Sequence, residues 1–280
     1  MEQCLGSYFL KNGQPLSAAC FEQHLGEISD SLYEVIRIIR GVPLFWEKHV
    51  DRFYNSASLA GIALTLSRQD IAEGIQRLLQ FNSTSSGNYK LLIKSLPNNH
   101  DIRKDWFLYS IPYRYPGIRD YQQGVTAILF RAERKNPRIK AADLDLRAAI
   151  DLELKKHGAY EALLVDAHGY VTEGSRSNVL WVRDGAIYTA SSNRILPGVT
   201  RDAILKLCSS MGIRVIEQEI SLDQLILMEA VFITGTSPKV LPIKQIDNLE
   251  FDSASHPVVI NIMEGYNRMI DDYCEDNPFE

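Results

Sequence analysis

The sequence predicts a mixed α/β protein, with two domains preferred over one. Three observations lead there. β-Branched, alternating stretches are interleaved with segments whose apolar residues recur at helical spacing. The 280 residues, 45% of them hydrophobic, can bury a large core and suit one big domain or two medium ones. Residues 114–124, R-Y-P-G-I-R-D-Y-Q-Q-G, place a proline and two glycines between regular segments and form the best candidate linker. The expected division is a small N-terminal α/β domain over 1–113, the linker, and a larger C-terminal α/β domain over 125–280.

Each element has its own signal. In S-L-Y-E-V-I-R-I-I-R-G-V-P-L-F, alternation puts Tyr33, Val35, Arg37 and Ile39 on one strand face. A turn over 41–43 then leads to a second strand at Leu44 and Phe45. Val50, Phe53, Ala57 and Ala60 recur at helical spacing and predict a helix that stops at Gly61. Arg52 lies off that stripe, facing the hairpin or solvent. Ser67 with Asp70 reads as a capping box opening a helix whose core side carries Ile71, Ile75, Leu78 and Leu79. Strands are expected over 89–95 and 106–113, with a loop between them.

In the second half a strand over 125–130 precedes a helix marked by Leu146, Ile150, Leu152 and Leu154, which stops at Gly158. Strands over 161–166, 170–172, 179–182 and 187–190, with turns at His168-Gly169 and Asp184-Gly185, read as an antiparallel meander. The remaining expectations are a helix over 200–211, a strand over 215–220, a helix capped by Ser221 with Gln224, a strand over 231–234 and a C-terminal helix over 258–273. There is no internal repeat and no low-complexity tract.

Composition excludes several functions. A formal charge of −5, from 30 basic and 35 acidic residues, leaves no footprint for nucleic acid or an anionic membrane. Cys4, Cys20, Cys208 and Cys274 form no C-x-x-C pair or His/Cys cluster, so no metal site and no disulfide framework is signalled, and a reduced, cytoplasmic setting is expected. Residues 1–13 lack the basic start and apolar run of a signal peptide, and no stretch approaches eighteen apolar residues. Dinucleotide-binding, P-loop, zincin and nucleophile-elbow motifs are absent as well.

Six segments in order carry a positive signal: Y-E-V-I-R, H-V-D-R-F-Y-N-S-A, I-K-A, G-A-Y-E-A-L-L-V-D-A-H-G-Y-V-T-E-G-S-R-S-N, L-P-G-V-T-R-D-A-I and F-I-T-G-T-S-P-K-V-L-P-I. Together they span residues 31–243 and resemble the class IV aminotransferases. These are the fold-type IV pyridoxal phosphate enzymes, which include branched-chain and D-amino acid aminotransferases and aminodeoxychorismate lyase. The resemblance implies two α/β domains with the cofactor at their interface, a homodimer, and a loop near 98–103 that completes the neighbouring subunit's pocket.

By this resemblance Lys140 is the Schiff-base lysine. A free lysine, with a pKa of about 10.4, is almost fully protonated at neutral pH, so burial and nearby cations must lower it before the amine can react. Glu173 matches the carboxylate that keeps the pyridine nitrogen protonated, which makes the ring an electron sink. The alternative for Glu173 is to cap a turn before Gly174. Arg52 matches the phosphate arginine, its planar fork suited to the oxygens, with an ion pair to Asp51 or Glu47 as the alternative. Val199 and Thr200, at a helix start, offer backbone N–H groups and the positive dipole end to an anion. Thr236 and Ser237, in a turn after a strand, match the remaining phosphate-binding pair.

Tyr33 and Arg37 match substrate-pocket positions, and Lys90 falls where branched-chain members tend to carry an arginine. His100, with Asn98 and Asn99, lies where D-amino acid enzymes place an arginine and a histidine that trap the carboxylate, but no such arginine is evident. After the lysine, Asp143 and Leu144 stand where the family often has asparagine and, in branched-chain members, tyrosine. The expected activity is amino transfer between an amino acid, branched-chain L- or D-, and a 2-oxo acid. The alternatives are the lyase, which releases pyruvate, and a low-activity pyridoxal phosphate-binding homologue.

Overall fold

The computed structural model describes residues 2–26, 28, 31–97 and 102–279, and the backbone alone for 95–97, 102 and 103. The chain divides into two compact units. One takes the residues up to 114, 139–143 and those from 270 on; the other takes 115–138 and 144–269.

The first unit contains β1 (Tyr8–Lys11), β2 (Gln14–Ser17), a short α1 (Phe21–Leu25), β3 (Leu32–Ile39), β4 (Val42–Pro43), α2 (Trp46–Leu59), α3 (Arg68–Asn82), β5 (Gly87–Pro97) and β6 (Ile102–Ile111). Its strands form an antiparallel sheet in the order β2-β1-β6-β5-β3-β4. Strand β3 alternates as its sequence requires: Leu32, Glu34, Ile36 and Ile38 are buried, and Tyr33, Val35, Arg37 and Ile39 are half-buried. The buried face packs against Val50, Phe53 and Ala57 of α2 and Ile71, Ile75 and Leu78 of α3. Register fixes the opposite face. Val35 lies across from Lys90, and Lys90 across from Tyr109, so Tyr33, Arg37, Lys90 and Tyr109 share one side.

Local details depart from the sequence reading. The tight turn is Arg40-Gly41, both with left-handed φ of 54° and 80°, so the second hairpin strand is Val42–Pro43 and not Leu44-Phe45. Ala60 caps α2 and is exposed. Strands β5 and β6 reach toward each other as far as 97 and 102, which shortens the expected loop. The β1–β2 hairpin was not expected, although Asn12-Gly13, with φ of 50° and 78°, is a hairpin turn signal.

The second unit begins with α4 (Ile118–Gln123), a helix inside the segment read as the linker, followed by β7 (Val125–Arg131), α5 (Leu144–His157), β8 (Glu161–Val165), β9 (Tyr170–Gly174), β10 (Asn178–Arg183), β11 (Ala186–Thr189), α6 (Val199–Ser210), β12 (Val215–Glu217), β13 (Ile220–Ser221), β14 (Ala230–Gly235), β15 (Lys239–Ile246), β16 (Leu249–Glu250) and the part of α7 (Pro257–Asp276) that precedes residue 270. The sheet order is β12-β11-β10-β14-β15-β7-β8-β9-β13, with β16 paired to β15. Parallel pairing of β7 with β8 requires a crossover, and α5 supplies it, packing Ile150 and Leu154 on Ile128, Ala162 and Leu164. Leu152 turns outward at 66% exposure.

The meander is instead two hairpins, β8–β9 and β10–β11, separated in the sheet by β14, β15 and β7. Tight turns at Gly169 and Gly185 hold each hairpin, whereas the connection over 175–177 has no such turn and lets β10 pair with β14. The 215–220 strand splits into β12 and β13, which join opposite ends of the sheet order. Ser221 does form a capping box with Gln224, but the turn it opens, Leu222–Leu227, is 3₁₀. Among the described residues no helix is long and apolar enough to cross a membrane.

Gly124 closes α4 with φ +75°, and a Cβ there would lie 2.9 Å from the backbone nitrogen of Lys244. Gly124→Ala therefore meets both a disfavoured conformation and a backbone clash. It should destabilise the protein by roughly 2 kcal/mol or more in chemical denaturation; a loss below a few tenths would contradict this packing.

Candidate active site

In the first unit the site is built on the two faces of β3. Residues 139–143, from the β7–α5 connection, pair with the start of that strand. Tyr33 N–H donates to the Lys140 carbonyl at 3.0 Å, Ala142 N–H to the Ser31 carbonyl at 2.9 Å, and Leu32 bridges Ala141. The Lys140 N–H is held by Ser56 Oγ of α2 at 3.2 Å. This pins the backbone on both sides of Lys140 and sets its side chain beside Tyr33, with Nζ 4.9 Å from the ring centroid. Lys90 Nζ contacts the same ring at 4.5 Å. Tyr33 therefore presents its ring to both lysine nitrogens.

On the buried face, Glu34 grips α2. Arg52 donates from Nε to Oε1 at 2.7 Å and from a terminal nitrogen to Oε2 at 2.8 Å, and His49 Nδ1 lies 2.8 Å from Oε2. Burial alone would push the Glu34 carboxyl up, but the Arg52 guanidinium and the bonds from His49 and Arg52 outweigh it and hold it down at about 2. Burial pushes the His49 imidazole down despite Glu34, which makes it neutral near pH 7, and because an ionised carboxylate only accepts, its proton sits on Nδ1. Neither Asp51 nor Glu47 is the partner of Arg52: Asp51 pairs with Arg68, and Glu47 accepts from Tyr273.

In the second unit Glu173, at the end of β9, is buried. Arg134 Nε lies 3.1 Å from Oε1 without good hydrogen-bond alignment, and the Leu196 N–H donates to Oε2 at 3.2 Å. Asn178 Nδ2 in turn donates to the Leu196 carbonyl at 3.0 Å. Glu173 and Asn178 thus clamp the Leu196-Pro197-Gly198 approach to α6 from two strands. A Cβ on Gly198 would fall 1.9 Å from Asn178 Oδ1, so any side chain there would have to displace the Asn178 amide. Helix α6 opens at Val199 and Thr200 with no side-chain cap on its first N–H groups. Its buried Arg201 reaches Thr189, Ser192, the Ala190 carbonyl and Glu217 and anchors that end of the helix to β11 and β12. Thr236 and Ser237 lie in the three-residue loop that closes the β14–β15 hairpin between Gly235 and Lys239.

A second buried carboxylate, Glu161, organises the connection after Glu173. It accepts from the N–H and Oγ of Ser175, the N–H of Arg176 and the Oγ of Ser177. Arg134 donates to the Ser175 carbonyl and Arg147 to its hydroxyl, which closes the network.

The family model for amino-transferase class IV matches residues 31–246. The chain belongs to the class IV aminotransferase family. D-Alanine aminotransferase of Bacillus licheniformis is 30% identical to it over 253 residues, 87% of this chain and 89% of that one. The crystal structure of the Escherichia coli branched-chain amino acid aminotransferase superposes with a TM-score of 0.84 at 25% identity, covering 95% of each chain. The T.th. branched-chain amino acid aminotransferase with pyridoxamine 5'-phosphate gives 0.81 at 26% identity, over 96% of this chain and 95% of that one. The enzyme is thus a transaminase by family, and its two sheets match the fold-type IV structures.

The first unit of this aminotransferase brings together Tyr33, Arg37, Lys90 and Lys140 on or beside one sheet face, with Arg52 behind it. The second holds Glu173, Val199 and Thr200 around one short loop. Thr236 and Ser237 sit in a separate hairpin loop. His100, with Asn98 and Asn99, lies outside the described residues. Asp143 is exposed, directly before α5. Sequence reasoning missed Glu34, His49, Arg134, Asn178 and Glu161. Glu34 had a visible signal, a carboxylate in phase with Leu32, Ile36 and Ile38 on a face that must be buried.

Removing the Glu34 carboxylate strands two buried basic groups. Glu34→Ala should cost about 3–5 kcal/mol in denaturant unfolding. Its folded pKa lies below its ordinary 4.5, so its contribution is complete above that pH and is lost as pH falls toward 2. Glu34→Gln should flatten this acid limb, and an unchanged acid limb would show that Glu34 does not carry it.

Proposed function

We propose that this aminotransferase uses pyridoxal phosphate to move an amino group between an amino acid and a 2-oxo acid, the donor being a branched-chain L-amino acid or a D-amino acid such as D-alanine. The observation that carries this reading is the buried Glu173 carboxylate, tied through Leu196 to the uncapped start of α6. A buried acid suits a protonated ring nitrogen, and a helix start without a side-chain cap suits a phosphate.

The residues present fit the cofactor. Lys140 would hold it covalently, Glu173 would pair with the ring nitrogen, and Arg52, Val199, Thr200, Thr236 and Ser237 would take the phosphate. Thr234 Oγ1, two residues before that last pair, is buried without a hydrogen-bond partner, as expected beside a site made for a polar group. Bound there, the cofactor supplies an electron sink for the pair left when the substrate Cα loses its proton.

The chain's own residues do the rest. Lys140, its backbone fixed by Tyr33, Ser31 and Ser56, delivers one amine at a defined place to take and return the Cα proton. The Leu196 N–H keeps Glu173 in one orientation while Arg134 supplies the opposite charge, and Glu34 holds the Arg52 fork. Tyr33, Arg37 and Lys90 face the substrate and, on the family's pattern, so does His100. The resemblance extends to a homodimer, which equilibrium sedimentation checks.

Mixing the holoprotein with single D- and L-amino acids tests the activity directly. The visible cofactor band should disappear with at least one of leucine, valine or D-alanine, and its persistence with all of them would defeat the transaminase reading. Lys140→Ala should lack the wild-type visible band, and an unchanged band would remove Lys140 from its role. Glu173→Gln should retain the cofactor and lose at least about two orders of magnitude in turnover; near-normal rates would show that the acid acts elsewhere.

A further inference from the structure

Lys90 is an ammonium group that is only 6% exposed on the sheet face that carries Tyr33. A buried cation needs a partner, and this one is supplied from ahead of β1. Glu2 Oε1 lies 2.5 Å from Lys90 Nζ, and Tyr109 Oη donates to Glu2 Oε2 at 3.1 Å, so both oxygens of the carboxylate are engaged. The Leu5 N–H donates to the Ser110 carbonyl at 3.0 Å, which fastens the segment carrying Glu2 alongside β6. Burial, with the Glu2 carboxylate next, pushes the Tyr109 phenol up, so it remains a donor to Glu2 at every working pH.

Lys90 and Lys140 contact the same Tyr33 ring. A substrate whose Cα lies at Lys140 and whose side chain runs past Tyr33 would meet Lys90. An amino acid with a second carboxylate would find there an ammonium already paired to a carboxylate of the protein.

We propose that Glu2 is a specificity-determining residue: it occupies the Lys90 ammonium in place of a substrate's distal carboxylate and so favours monocarboxylic over dicarboxylic amino and oxo acids. The inference rests on the functional reading above for the placement of Lys90 in the substrate pocket. A dicarboxylate must displace Glu2, break its bond to Tyr109 and leave that carboxylate to be resolvated, whereas an apolar side chain leaves the pair intact. Glu2→Gln keeps an acceptor for Tyr109 and removes the charge that competes for Lys90.

Calorimetric titration of the protein as purified with glutarate and with valerate, five-carbon acids with two carboxylates and one, tests this without any turnover. Failure of the transaminase reading is thus a separate result. In Glu2→Gln the ratio of the glutarate Kd to the valerate Kd should fall at least about tenfold from wild type, and Glu2→Ala should shift it in the same direction. In Glu2→Gln/Lys90→Met the gain should vanish. A ratio unchanged in both single variants, a gain that survives loss of Lys90, or no measurable glutarate binding by either single variant overturns the proposal.

Discussion

The site depends on a short backbone pairing. Residues Lys140 and Ala142, in the connection between β7 and α5, exchange hydrogen bonds with Tyr33 and Ser31 at the start of β3. Each such bond adds only about 0.5–1.5 kcal/mol to stability, but together they remove the conformational freedom of the loop that carries Lys140. Because Lys140 enters as a neighbour of Tyr33, it inherits the pleat of the sheet and takes the same side as Lys90 and Tyr109. The opposite side of the strand, one residue on, belongs to Glu34 and its grip on Arg52 and His49. One strand thus orders the Lys140 side chain on one face and the Arg52 guanidinium on the other.

The second unit solves a different problem, how to fix an acid within a core. Glu173 is buried, where an unpaired carboxylate would be costly. Arg134 supplies the charge and the Leu196 N–H a directed bond, and Leu196 is itself held by Asn178. The same clamp determines where α6 begins, so the carboxylate and the helix start cannot move independently. Glu161 extends this control to the serines that follow, which explains why the E-G-S-R-S-N run contains small and hydroxylated residues: Gly174 abuts Ser177 and Glu161, and both hydroxyls point at a single acid.

Much of this was legible in the sequence wherever the signal is local. Alternation placed Tyr33 and Arg37 on one face of β3, the Ser67 capping box opened α3, and the L-P-G-V run marked the start of α6. The rest depends on pairings that no spacing encodes. The separation of the two hairpins by β14, β15 and β7 rests on the pairing of β10 with β14 and of β8 with β7, and the partners of Arg52 and Glu173 come from residues 18 and 39 positions away. Leu152 departs from its expected side because it lies about half a turn away from the stripe of Leu146, Ile150 and Leu154 that meets the sheet.

The central claim, that the β3 pairing makes Lys140 the covalent anchor, is tested most directly by reducing the holoprotein with borohydride and mapping the modified peptide by mass spectrometry. The account predicts one cofactor adduct per chain, on Lys140. An adduct on another lysine, Lys90 in particular, or no adduct on a protein that shows the visible band, would contradict it.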